Sequence, residues 1–149
     1  MFDLAIQLAF SFLTTAAFAI ITNVPKRSLV SCGLTGMLGW IVYWGTGQFG
    51  VSNVLATFLG AFTVAIFSHF FSRIKKMPVT IFNIPGIVPL VPGALAYQAV
   101  RNLVLGDYLV AVSISVKVLL VAGAIASGLV ISEVFNHNIR NFREKKEHF

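Results

Sequence analysis

Five apolar runs, roughly 4–22, 28–46, 51–71, 79–105 and 108–135, occupy almost the whole sequence up to Phe135. Each approaches or exceeds the ~20 residues that a helix needs to cross a ~30 Å hydrocarbon layer. In such a layer backbone amides must be satisfied within the segment itself, so helices are the economical solution. The connections are too short to separate two folding units. The expected architecture is therefore all-α: a polytopic membrane helical bundle of about five segments, with a single transmembrane domain over 1–135 and a basic cytoplasmic tail over 136–149. The composition excludes an ordinary soluble domain, because 57% of the residues are hydrophobic and only 11% charged. Soluble chains hold roughly 45–50% apolar and about 25% charged residues.

A formal charge of +6 could indicate nucleic-acid binding if the basic residues formed one face. Their placement along the chain speaks against that. Lys26 and Arg27 follow the first run, Arg73, Lys75 and Lys76 the third, and Arg140, Arg143, Lys145 and Lys146 the fifth. The other two connections, 47–50 and 106–107, have no basic residue. By the positive-inside rule the N-terminus faces outward and the tail lies in the cytoplasm. Parity then requires the fourth run to cross as well. The first run contains the small-residue sequence "AFA" that a signal peptidase favours, but Asp3 precedes it and the positive charges follow it. That order predicts a retained first helix. Trp40, Tyr43, Trp44 and Tyr108 are expected in an interfacial aromatic belt.

The fourth run has an interruption. In "NIPGIVPLVPGALAYQ", residues 83–98, three prolines and two glycines fall between Pro85 and Gly93 with no charge nearby. Proline lacks an N–H and clashes with the preceding turn, so a continuous helix is not expected here. Broken backbone at membrane depth persists only where protein buries it or where it lines a water-filled cavity. Pro92 suits the first turn of a new half-helix, whose free amides around Gly93, Ala94 and Leu95 would present a positive dipole end. Counting back from Gly106 at 1.5 Å per residue puts the break in the cytoplasmic half of the layer. Transporters hold substrate carboxylates at such half-helix ends. The bland alternative is a kinked structural helix. Tyr97 and Gln98, just past the break, could hydrogen-bond a ligand or simply pack.

Lys117 is the second unusual feature. It lies nine residues beyond Tyr108, which is ~13 Å into the layer if the fifth run starts at the outer surface. A cation at that depth costs at least ~2.5–3.5 kcal/mol and usually faces a cavity or a partner, unless it snorkels outward. Arg101 and Asp107 are expected to form an outer-surface ion pair. His69, His137 and His148 show no ligand spacing, and Cys32 reads as a small packing residue. No metal or cofactor site is expected, and no catalytic set is visible, so an enzyme is not expected. Small residues at helix-packing spacing recur at Gly33/Gly36/Gly39, Ala56/Gly60, Ala61/Ala65, Gly123/Ser127 and Ala124/Gly128.

Two stretches, "TNVPKRSL" (22–29) and "IPGIVPLVPGALAY" (84–97), resemble the ThrE-type threonine/serine exporter family, specifically its small YjjB-like, C-terminal-type subunit. Size, segment order and basic tail agree over nearly the whole chain. Asn23, Pro25 and Arg27 match the first motif; Pro85, Gly86, Pro89, Pro92, Gly93 and Tyr97 match the second. Lys117 belongs to neither. The resemblance implies a larger N-terminal-type partner subunit, residence in the bacterial plasma (inner) membrane, and ion-driven export. With no midplane carboxylate here, coupling residues would lie in that partner. The expected function is the small subunit of a two-component secondary exporter of small carboxylate-bearing metabolites, threonine/serine or a dicarboxylate such as succinate. The rival expectation is a non-transporting scaffold that stabilises a transporter. Membrane lipid and the substrate complete the expected partners, nucleic acid is not among them, and a higher oligomer is left open.

Overall fold

A computed structural model describes the backbone of residues 2–147 and the side chains of residues 3–139. His148 and the side chains of Arg140, Arg143, Lys145 and Lys146 lie outside the described residues. Six α-helices follow one another: α1 (Phe2–Ile21), α2 (Leu29–Gln48), α3 (Asn53–Lys75), α4 (Thr80–Ile87), α5 (Gly93–Leu105) and α6 (Tyr108–Glu147). No strand occurs among the described residues. Helices α1, α2, α3 and α6 are each long and apolar enough to cross a membrane. The α4–α5 pair becomes a fifth crossing if its two bent halves are counted together. The all-α, multi-pass architecture is therefore as the apolar runs required.

Local chemistry sets the ends of the helices. The Ser52 hydroxyl accepts from the Leu55 amide at 3.4 Å and caps α3, while Lys76 closes it in the left-handed region at φ 53°. Gly106, at φ 88°, lets α5 turn directly into α6. After α1, Asn23 takes φ 57°, and the Val24 amide returns to the Ala19 carbonyl. Asn tolerates this conformation better than branched residues, which gives "TNVPKRSL" a structural reason for its asparagine. The same loop is tied to the α3–α4 connection by Ser28 Oγ against Met77 Sδ at 3.0 Å.

Close approach of small residues holds α1, α2 and α3 together. A Cβ built at Gly33 or Gly36 would run into Phe12 or Thr15 of α1, and one at Gly39 into Val64 of α3. Gly60 approaches the Gly39 carbonyl, with 3.0 Å left for a Cβ. In α6 Gly128 lies against the Phe58 carbonyl of α3, 2.9 Å from where its Cβ would stand. Gly123, by contrast, meets nothing within 4 Å, so the Gly123/Ser127 pair does not pack against another helix.

Helix α6 is 40 residues long, about 60 Å and nearly twice the hydrocarbon thickness. Its contacts with α3 pair residue 73 with 136, 69 with 133 and 58 with 128, an offset that grows from 63 to 70 positions toward the start of α3. Asn53, where α3 begins, therefore stands beside residues 116–123 of α6, and it lines one cavity with Val121. The first turns of α6 run past the start of α3, packed chiefly on α5. The two form an antiparallel hairpin projecting from the bundle, with Leu109 89% and Val104 80% exposed.

Candidate functional site

The interruption is present but narrower than the proline pattern indicated. Helix α4 continues through Pro85 and Gly86 to Ile87. The chain then makes a 3₁₀ turn over Val88–Leu90, extends at Val91 (φ −65°, ψ 128°), and begins α5 at Gly93 after Pro92, bent by 54°. Pro85 is tolerated inside α4 because the carbonyl that it cannot serve, Ile81 O, accepts from Cys32 Sγ at 3.4 Å. Cys32 is thus a donor as well as a packing residue. Gly86 is needed for closeness: a Cβ there would stand 2.8 Å from Val64 Cγ1 and 3.1 Å from Thr35 Cγ2.

At the start of α5 no side chain caps the helix. The Gly93 amide turns back to the Val91 carbonyl at 2.8 Å and the Ala96 amide reaches Pro92 O at 3.0 Å. That leaves the amides of Ala94 and Leu95 without a backbone acceptor, so the free dipole end is one residue shorter than the sequence indicated. These amides border a cavity of about 200 Å³ lined by Pro89 to Leu95, by Trp40 and Tyr43 of α2, by Asn53 and Thr57 of α3, and by Val121 of α6. A Cβ at Gly93 would meet nothing within 4 Å. Tyr43 Oη contacts Asn53 Oδ1 at 2.8 Å, and Trp40 Nε1 donates to Gln7 Oε1 at 2.8 Å. Trp40 and Tyr43, expected in an interfacial belt, are half-buried and pack in part against the Leu90 core. The polar lining they supply with Asn53 and Thr57 could be found only by folding the chain, since these residues sit on two different helices.

The level of the break also differs from the sequence estimate. Leu90 packs with Ala61 and Val64, near the middle of α3, and the cavity reaches Asn53 at its start. Counting back from Gly106 assumed that α5 runs flush with the other helices. The bend and the projecting hairpin move α5 beyond the start of α3, so the break lies from mid-bundle toward that end. The same register moves Lys117. It is exposed, at or beyond the level of Asn53 rather than beside the middle of α3, and it does not line the cavity. Tyr97, one turn beyond Gly93, is 69% exposed and does not line it either. Arg101 and Asp107 make no ion pair among the described residues.

A second polar cluster is brought together where α3 ends. His69, which had no ligand spacing in the sequence, lies with Nε2 2.9 Å from Glu133 Oε2 of α6, off the direction of an aligned hydrogen bond. Arg73 Nη2 donates to Asn136 Oδ1 at 2.6 Å. With Ser72, His137 and Val79, which just precedes α4, these line a cavity of about 300 Å³. No group of three His, Cys, Asp or Glu side chains placed to hold a metal occurs among the described residues.

A family model described as "Threonine/Serine exporter, ThrE" matches residues 7–135. A protein of Mycobacterium tuberculosis named "Probable threonine/serine exporter" is 28% identical over 95 residues, 64% of this chain and 18% of that protein. A protein of Haemophilus influenzae, named only as uncharacterized, is 27% identical over 105 residues, 70% of this chain and 35% of its own length. The chain thus spans between about a fifth and a third of the length of these curated relatives. No solved structure matches it.

Proposed function

The chain belongs to the threonine/serine exporter family ThrE, and on that premise we propose that it is the small membrane subunit of a two-component secondary exporter of small carboxylate-bearing metabolites. The family is one of transporters rather than enzymes. Its substrate here would be threonine or serine, or a dicarboxylate such as succinate. The observation that carries the proposal is the pair of unaccepted amides at Ala94 and Leu95 on the wall of the cavity at the break. A half-helix N-terminus of this kind favours an anionic group, and in low dielectric the preference strengthens. Pro89 and Pro92 hold the backbone open there, while Pro85 and Gly86 fit α4 into its slot between α2 and α3. Tyr97 and Lys117 would act, if at all, outside this cavity. The partner is a larger N-terminal-type subunit, and the assembly sits in the bacterial inner membrane with the basic loops and tail in the cytoplasm.

Replacing Pro89, Pro92 and Gly93 each with alanine, at matched expression and with the partner present, tests this. Efflux from preloaded cells is expected to fall at least severalfold for the two proline variants. Unchanged efflux in all three removes the break from the mechanism. The rival reading is a scaffold, and the observation in its favour is that the cavity at the break has no charged side chain. Reconstituting the larger subunit with and without this chain separates the two, since transport by the larger subunit alone supports the scaffold.

A further inference from the structure

The cleft where α3 ends has an unusual arrangement of charge. Arg73 carries a permanent positive charge, yet no carboxylate lies within 4.0 Å of it among the described residues, and its described partner is the neutral Asn136 amide. Glu133 lines the same cavity, and its close partner is His69, which is charged only when protonated. A cation and an anion thus share one cavity of about 300 Å³, each held by a group without fixed charge and neither paired with the other. That volume is at the lower end of small-molecule sites. A guanidinium fork matches a carboxylate with two parallel hydrogen bonds, and a carboxylate accepts well from an ammonium group. A ligand carrying both groups satisfies both walls at once.

We propose that this cleft binds the zwitterionic head of a small α-amino acid on the side that the basic loops assign to the cytoplasm, with its carboxylate on Arg73 and its ammonium group on Glu133. The inference rests on the exporter reading and narrows its substrate class. A dicarboxylate would bring a second negative charge against Glu133, and a simple amine would face Arg73 without an anion to match it. Val79, just before α4, borders this cleft, and the other end of α4 leads into the broken segment, so the length of α4 lies between it and the cavity at Ala94 and Leu95. The cleft is therefore a loading site distinct from the break.

Equilibrium binding to the full chain in detergent, read by titration calorimetry with L-serine, ethanolamine, lactate and succinate, tests this directly. L-Serine should bind at least about tenfold tighter than any of the three compounds that lack one of its charged groups. Arg73→Gln and Glu133→Gln should each weaken serine by about tenfold or more, and Glu133→Gln should also narrow the gap between serine and succinate. Arg73→Lys and Glu133→Asp, which keep the charges, should retain part of the affinity and show that the fold is intact. Arg101→Gln, an exposed cation elsewhere, should bind as the wild type does. Serine binding no tighter than the three controls, or unaltered by both charge removals, overturns the site. The exporter reading fails separately: if cells with the chain and its partner export no member of an amino-acid and dicarboxylate panel while serine still binds, that reading falls and the cleft stands.

Discussion

At the scale of single residues, one sulfur explains how a proline sits inside a buried helix. Pro85 leaves the Ile81 carbonyl without its helical donor, and Cys32 supplies one from α2. Cys32→Ala should therefore lower stability by about 1–3 kcal/mol, because it leaves a buried acceptor unmet. Pro85→Ala returns a helical amide to Ile81, so the double variant should lose less than the two single effects together. A double-mutant cycle by thermal unfolding in detergent checks this, and strict additivity would refute the link. The glycines give a second contrast. Gly39→Ala forces a methyl group into Val64 and should cost about 1–3 kcal/mol, whereas Gly123→Ala meets open space and should change stability by less than about 0.5 kcal/mol. Sequence spacing marked both positions alike. What distinguishes them is that Gly39 of α2 faces α3 while Gly123 of α6 faces away from every other helix, and spacing within one helix cannot report that.

At the scale of elements, the break is where the sequence was most informative and still incomplete. Clustered prolines and glycines identified the interruption, but helical pattern could not show that Pro85 would be accommodated, because its compensating donor is 53 residues away on another helix. The open part is the short stretch from Val88 to Pro92. Labelling with a water-soluble maleimide in a Cys32→Ser background should follow that boundary. Gly93→Cys should react readily, since its side chain enters open space, while Ala61→Cys, fully buried against α6, should be protected. Equal protection at both positions would mean that water does not reach the break. The aromatic residues add what one dimension cannot show: Trp40 donates to Gln7 of α1 and Tyr43 to Asn53 of α3, bonds that tie α2 to both neighbours.

For the whole molecule, the alternation of basic connections predicts a definite topology. A fluorescent protein fused after Phe149 should fold and fluoresce in the cytoplasm, and a periplasm-active phosphatase inserted in the 47–50 connection should be active. The reverse pattern would contradict the charge rule. Depth is a different matter from topology. Counting residues from Tyr108 puts Lys117 near a midplane, but α6 starts well before the level at which α3 does, so equal counts are not equal depths. The hairpin of α5 and early α6 consequently stands clear of α1–α4, with apolar side chains on most of its surface.

The covalent chain alone determined which runs are long and apolar enough to cross and the existence of a broken fourth element, and it predicts a side for each connection. Each of these depends on local hydropathy, local charge or local backbone restriction, all of which are written residue by residue. The tertiary structure decided where the break lies, which side chains surround it and which polar groups meet at the end of α3. His69 with Glu133, Arg73 with Asn136 and Cys32 with Ile81 join residues at least 49 positions apart. Such contacts depend on helix register and on the 54° bend, which arise only when the helices pack.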